Sequence, residues 1–179
     1  MIEDLILLFF MIIFPLFWLR IIKKFNWKKI SSELIPYSKK NLKGELVGSL
    51  KLFFALLVSF ILLSFILTLL GLNDLEKVSE IIALNMENAV FFILIMMVLV
   101  FFEEFFFRAF LVNRIGIISS SLLFGFAHFG YASIAEIIGA FALGLLLAYW
   151  FKQNKSIIQN YFGHLLYNLF AIALYVLVG

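Results

Sequence analysis

Long apolar runs dominate this sequence, and six of them approach the length needed to cross a membrane. A helix needs about 20 apolar residues to span roughly 30 Å of hydrocarbon. The six segments are residues 5–22, 47–72, 89–112, 115–130, 133–151 and 156–178. Of the 179 residues, 65% are hydrophobic and only 14% are charged, and the mean hydropathy is +1.12. The sequence therefore predicts an all-α, polytopic transmembrane bundle of about six spans.

The charges between the apolar segments predict how the bundle lies in the membrane. The connection between the first two segments is basic; it carries Arg20, Lys23, Lys24, Lys28, Lys29, Lys39, Lys40, Lys43 and Lys51. Basic loops face the cytoplasm, so we expect both termini on the outer side of a cell membrane. The next loop is acidic and is expected outside. Membrane lipids are expected partners, and nucleic acid is not.

Six ionisable or amide side chains interrupt the apolar runs, namely Glu103, Glu104, Arg108, His128, His164 and Asn168. Such groups are costly in hydrocarbon unless they are paired or hydrated, and they are usually functional. Counting 1.5 Å per residue from the expected cytoplasmic ends places Glu103 about 15 Å deep and His164 about 12 Å deep. His128 fits less well, at about 20 Å, unless its helix begins near Ile117. We therefore expect one site in a cavity facing the cytoplasm.

Helical spacing within this set predicts contacts. Glu104 and Arg108 are four residues apart, the spacing of an ion pair within one helix. Glu103 points about 100° away from Glu104, so it needs a partner from another helix, and a histidine is the expected one. Phe124 and His128 share the four-residue spacing, so the Phe124 ring is expected to wall the site.

Two kinds of chemistry fit these side chains. A carboxylate beside imidazoles can activate water as a general base, while imidazole and amide donors stabilise an oxyanion. Glu103, His128 and His164 also form a plausible three-ligand set for a divalent metal such as zinc. The sequence leaves both versions open. Cysteine is absent, which excludes a cysteine nucleophile.

Several other polar or small residues are expected to be structural. Ser119, Ser120 and Ser121 should satisfy backbone groups or ease packing. Ala140, Gly144 and Ala148 form a stripe of small residues that lets a neighbouring helix approach closely. Glu136 is expected to be an interfacial carboxylate near the outer end of the fifth segment.

The three polar motifs also resemble those of a known family. EEFFFR at Glu103, FGFAH at Phe124 and HLLYN at His164 are similar to the EExxxR, FxxxH and HxxxN motifs of the CPBP, or Abi, family of intramembrane proteases, which includes the CAAX prenyl endopeptidases. The resemblance covers residues 85–179, which implies a four-helix catalytic core there. Residues 1–84 would supply membrane helices and the basic loop, within one structural domain.

This resemblance implies an intramembrane endopeptidase acting on a membrane-associated or lipidated peptide, with prenylated CAAX substrates as one class. It implies that Glu103 activates water and that His128 positions the water or shares a metal. His164 and Asn168 would stabilise the oxyanion, with Glu104 and Arg108 in support. The alternatives are a non-proteolytic scaffold or bacteriocin-immunity protein of the same family and, less favoured, a proton-coupled transporter.

Overall fold

The structure is a computed structural model that describes residues 2–36 and 41–178, and this part of the chain contains helices but no β-strand. Lys39 and Lys40, which belong to the predicted basic loop, lie outside the described residues. The helices are α1 (Ile2–Phe17, continued by a π-helical turn at Trp18–Ile22), α2 (Trp27–Leu34), α3 (Leu42–Leu69), α4 (Glu76–Asn85), α5 (Ala89–Glu103, continued by a π-helical segment at Glu104–Val112), α6 (Asn113–Ala127), α7 (Ile134–Asn154) and α8 (Ile157–Val178). Each predicted apolar segment lies on one of these helices.

The outer surface of the bundle is apolar, as expected of a protein embedded in lipid. On α3, for example, Ile61, Phe65 and Leu69 are all more than 60% exposed. Soluble proteins rarely expose apolar patches of this extent. By length and composition, Leu42–Leu69, the continuous run Glu76–Tyr131 and Ile134–Asn154 could each cross a membrane, and Ile6–Ile22 is a shorter apolar helix. The prediction of an all-α helical membrane protein is confirmed.

The basic segments meet at one end of the bundle, which we call the basic end. Here Arg114, at the start of α6, forms an ion pair with Glu33 of α2 at 2.8 Å. Lys155, which follows α7, donates to Asn113 at 3.1 Å. The segments that carry the predicted inside charges are therefore neighbours in space, which agrees with the grouping predicted from the sequence.

A second polar contact at the basic end joins α3 to α8. The Ser156 hydroxyl donates to the Glu45 carboxylate at 2.5 Å and accepts from the Gln159 backbone N–H at 3.2 Å. Ser156 therefore caps the N-terminus of α8. All three side chains are buried, so this end of the bundle is closely packed.

At the other end, which we call the acidic end, Asp74 ties the loop after α3 to the start of α7. Its carboxylate accepts from the Ala135 backbone N–H at 2.9 Å and from the Ser133 hydroxyl at 2.7 Å. These bonds, the one to Ala135 first, lower the pKa of Asp74 well below its usual range. Lys77 pairs with the same carboxylate at 3.0 Å. The first turn of α7 is thereby fixed against α4.

The helical path between α5 and α6 departs from α geometry twice. All nine residues of the π-helical segment Glu104–Val112 are buried, and the Ser120 hydroxyl donates to the carbonyl of Phe107 within it at 2.6 Å. Gly116 has a positive φ of 83° and interrupts α6. Regular helix therefore resumes at Ile117, near the later start considered for the His128 helix, although Asn113–Ile115 are helical and do not form a loop.

The stripe of small residues on α7 packs against α6. Ala140 and Ala148 are buried, and a side chain at Gly144 would lie 3.0 Å from the Phe124 ring. Ser121 donates to the Ile117 carbonyl at 2.8 Å within α6. The packing role predicted for the stripe is confirmed. Its consequence is that α7 holds Phe124 in place beside the candidate site.

Candidate active site

A fully buried carboxylate, Glu104, is the centre of a polar cluster. One carboxylate oxygen lies 2.9 Å from His164 Nδ1, and the other accepts from the Asn160 amide at 3.0 Å. Arg108 Nε lies 3.5 Å from that second oxygen, so the predicted ion pair is present. Because a carboxylate accepts hydrogen bonds, Nδ1 of His164 carries the proton. Nε2 is then the nitrogen left for other partners.

The sequence expectation that Glu103 would bond with a histidine is wrong, since Glu104 holds that bond. The π-helical segment begins at Glu104, and its i→i+5 bonding changes the number of residues per turn. The estimate of facing directions assumed regular α geometry on both sides of the two glutamates. The neighbouring carboxylates still diverge, but Glu104 is the one that meets α8.

Asn160 was missed by the sequence analysis. It is fully buried, donates to the Leu147 carbonyl at 2.9 Å, and bonds to Glu104 as well. Asn160, His164 and Asn168 are spaced by four residues and share one face of α8. Extending the His164 and Asn168 interval back by one turn would have found it.

The Phe124 ring packs against Arg108 of the buried cluster and against both histidines. Its ring centre is 4.1 Å from the Arg108 guanidinium carbon, a distance at which the cation is attracted to the ring. The ring is also 4.7 Å from that of His128 and 6.0 Å from that of His164. The predicted aromatic wall is therefore present.

The remaining site residues line two adjoining cavities. The larger, of about 180 Å³, is lined in part by Glu103, His128 and Asn168. The smaller, of about 60 Å³, is lined by His164 together with His128 and Asn168. His128 and Asn168 belong to both linings, so the two cavities adjoin at these residues, with Glu103 lining one cavity and His164 the other.

At these cavities, the Glu103 carboxylate and Nε2 of His128 have no hydrogen-bond partner among the described residues. The Glu103 side chain makes no hydrogen bond or ion pair with any residue that the structure describes. His128 Nδ1 lies 2.9 Å from the Phe124 carbonyl, which can only accept, so Nδ1 carries the proton. Nε2 of His128 is therefore available, and its ring is held by stacking on Tyr131 at 6.0 Å.

A further carboxylate, Glu136, belongs to the linings of both cavities. The sequence predicted an interfacial carboxylate here, and the structure shows that the half-buried side chain lines these cavities. The Asp74 contact fixes the first turn of α7; Ile134 in this turn is exposed, whereas Glu136 lines the cavities. Little in the sequence indicates this, because Glu136 belongs to none of the three motifs.

The zinc interpretation finds no support in this geometry. Among the described residues, no group of three or more His, Asp or Glu side chains is arranged to hold a metal ion. Glu103, His128 and His164 line the cavities without converging as ligands. The residues present do not fit a three-ligand metal centre, so we derive no step through a metal.

The fold defines a polytopic all-α membrane protein with an internal polar site, and comparison with protein families identifies the domain. Residues 85–170 match the Rce1-like family, described as type II CAAX prenyl endopeptidase Rce1-like. This part of the chain therefore carries a domain of that family of CAAX-type proteases, and the resemblance seen in the motifs is confirmed. The match spans every motif residue. No curated protein and no solved structure matches the chain. The division at residues 84 and 85 stays a prediction.

Proposed function

We propose that the protein is an intramembrane endopeptidase that hydrolyses a peptide bond of a membrane-associated substrate. The observation that carries this proposal is a pair of adjoining cavities. Glu103, which makes no hydrogen bond or ion pair with any described residue, lines one of them together with His128 and Asn168, and His164 lines the other. Membership of residues 85–170 in a protease family supports it independently. Prenylated CAAX peptides are the substrate class that the family description adds.

Glu103 is the proposed general base. Its carboxylate takes a proton from a water molecule as the water oxygen attacks the carbonyl carbon of the substrate, and the protonated carboxyl then gives that proton to the leaving amine as the C–N bond breaks. His128 accepts a second hydrogen bond from the water through Nε2 and so fixes its position. General-base assistance of this kind contributes about 10²–10⁴ in rate.

Asn168 and His164 are the proposed donors to the oxyanion. The Asn168 amide donates directly. Because Nδ1 of His164 already donates to Glu104 at 2.9 Å, Nε2 donates only when the ring is doubly protonated. Glu104 is the carboxylate that balances that positive charge. The buried cluster therefore supports the reaction by holding His164 in orientation.

The test is peptide cleavage by the purified protein in liposomes. A mixture of single-span peptides and a farnesylated CAAX peptide would be added, and products identified by mass spectrometry. We expect cleavage by the parent and by the control Glu80→Gln, whose side chain is exposed on α4, and none by Glu103→Gln. Equal cleavage by Glu103→Gln would contradict the mechanism. A well-folded parent that cleaves none of these peptides would favour the non-proteolytic scaffold.

A further inference from the structure

We propose that a third cavity, which opens at the basic end and which we call the basic-end cavity, binds the headgroup of an anionic phospholipid. Its volume is about 710 Å³, and its lining includes Trp18, Lys23, Glu33, Arg114 and Lys155. It shares no lining residue with the two cavities of the candidate site. The proposal therefore concerns a separate binding site and does not depend on proteolysis.

Positive charge predominates in the lining of the basic-end cavity. The three cations Lys23, Arg114 and Lys155 face a single carboxylate, Glu33, which leaves two positive charges in excess. Glu33 already pairs with Arg114 at 2.8 Å. Neither Lys23 nor Lys155 forms an ion pair with a carboxylate of the described chain. An anion in this cavity would therefore meet two ammonium groups that the protein itself does not neutralise.

Two buried hydrogen-bond donors in the same lining also lack acceptors. The indole N–H of Trp18 and the Nε–H of Arg114 are buried, and neither has a hydrogen-bond partner among the residues that the structure describes. Leaving a buried donor without an acceptor is costly, so acceptor atoms of a ligand are expected beside them. A phosphate group supplies only acceptors in this setting, and its geometry matches that of a guanidinium.

Two of the three cations are held in position by the protein. The remaining guanidinium nitrogens of Arg114 donate to the Phe110 carbonyl at 2.6 Å and to Glu33 at 2.8 Å. Lys155 ends α7 in the left-handed conformation, with a φ of 50°, and its ammonium group donates to Asn113 at 3.1 Å. Little further ordering of these side chains is needed when an anion binds, which favours affinity.

The surroundings of the basic-end cavity favour a lipid over a soluble phosphate. Next to the lining, Ile21 and Ile22 are about half exposed, so acyl chains can lie against them. All three tryptophans of the chain belong to the helices that reach this end, namely Trp18, Trp27 and Trp150. Tryptophan is enriched where a membrane meets water, and basic pockets between membrane helices at that level bind anionic headgroups.

Native mass spectrometry of the purified protein tests the proposal without requiring turnover. The protein in detergent would be titrated with phosphatidylglycerol and, separately, with phosphatidylcholine of the same acyl chains, whose choline cation balances the phosphate. Glycerol 3-phosphate would be added as a competitor without acyl chains. The lining variant combines Lys23→Gln with Lys155→Gln. The matched control combines Lys28→Gln with Lys152→Gln, two exposed lysines on α2 and α7 that do not line the cavity.

We expect the parent and the control to bind phosphatidylglycerol about 10-fold more tightly than phosphatidylcholine. The lining variant should lose about 25-fold in affinity for phosphatidylglycerol, because each basic residue near an anionic headgroup contributes about fivefold. Trp18→Phe removes an N–H donor without changing the charge; it should also weaken binding, and it keeps the test valid if the lining variant accumulates poorly.

Three results would overturn the proposal. Equal binding of the two lipids by the parent would show that the cavity does not select an anionic headgroup. An equal loss of affinity in the lining variant and the control would mean that the charge of the whole basic end, and not the cavity, attracts the lipid. Displacement of the lipid by an equal concentration of glycerol 3-phosphate would assign the cavity to a soluble phosphate.

Discussion

The two sides of the Phe124 ring differ in how their carboxylates are paired. On the closed side, Glu104 is fully buried and is bonded to His164 and Asn160. On the open side, Glu103 is its immediate neighbour in sequence, yet it makes no hydrogen bond or ion pair within the described chain and faces a cavity. One residue along the helix separates a carboxylate bonded within the protein from one that lines a cavity.

This difference has a physical cause. A buried charge without partners costs several kcal/mol, so Glu104 is tolerated in the interior because each of its oxygens has a partner. An unpaired carboxylate is tolerated beside a cavity, where water or substrate can bind it. In the proposed mechanism, Glu104 holds His164 and Glu103 activates water.

The largest effect on stability is expected on the closed side, at Arg108. Arg108→Ala removes the counter-ion 3.5 Å from Glu104 and the cation over Phe124, and breaking a buried pair typically costs about 3–5 kcal/mol. Thermal unfolding in detergent measures this, with Lys51→Ala, an exposed position on α3, as the control. An Arg108→Ala protein as stable as the parent but inactive would show that Arg108 takes part in the chemistry. It would contradict the purely structural role given to the closed side.

The alanine variants of His164 and Asn168 should differ in stability, because only His164 both bonds to Glu104 and lines a cavity. Each alanine variant loses one oxyanion donor, which is worth about 10²–10³ in rate. His164→Ala also leaves one Glu104 oxygen without its bond, so its melting temperature should fall, whereas Asn168→Ala should melt like the parent. Peptide cleavage and thermal unfolding of the two variants check this. Equal melting of both variants would mean that the Glu104 bond contributes little.

Asn160 should behave as a residue of the closed side alone. Asn160→Ala removes a hydrogen bond to a charged group, which is worth about 1.5–3 kcal/mol, and we expect a stability loss with a smaller loss of turnover. Gln153→Ala, an exposed amide near the end of α7, is the matched control. Lost turnover with unchanged stability would place Asn160 among the reactive groups.

The smallest effect is expected at Asp74, outside the membrane-spanning helices. Because its pKa is lowered in the folded protein, its contribution to stability is complete above the ordinary aspartate pKa of about 3.9 and is lost as the pH falls below that value. The melting temperature of Asp74→Asn should therefore lie slightly below that of the parent at neutral pH. A gap that widens in acid would contradict the linkage.

Sequence periodicity and composition predicted much of this molecule. Apolar length located the helices, and spacing predicted the Glu104 and Arg108 pair, the Phe124 wall and the packing stripe. These features depend on contacts within one helix or on burial of a face, and both can be derived from residue intervals. A later start of α6 was considered in order to match the expected depths of the site residues. In the structure, the positive φ of Gly116 interrupts the helix just before Ile117.

The remaining features of the site depend on how the helices are rotated relative to one another. Residue spacing within a single helix does not determine this rotation. The π-helical segment after Glu103 decides which glutamate meets His164. Glu136 faces the cavity only because Asp74 fixes the start of α7.

The central claim is that neighbouring glutamates perform different tasks, and one paired measurement tests it directly. Glu103→Gln and Glu104→Gln would each be examined for thermal unfolding and for peptide cleavage in liposomes. We predict that Glu103→Gln melts like the parent and has lost about 10²–10⁴ in rate, whereas Glu104→Gln has a clearly lowered melting temperature because Arg108 is left without its counter-ion. A Glu103→Gln protein that unfolds early but still cleaves peptide, beside a stable Glu104→Gln, would contradict the account.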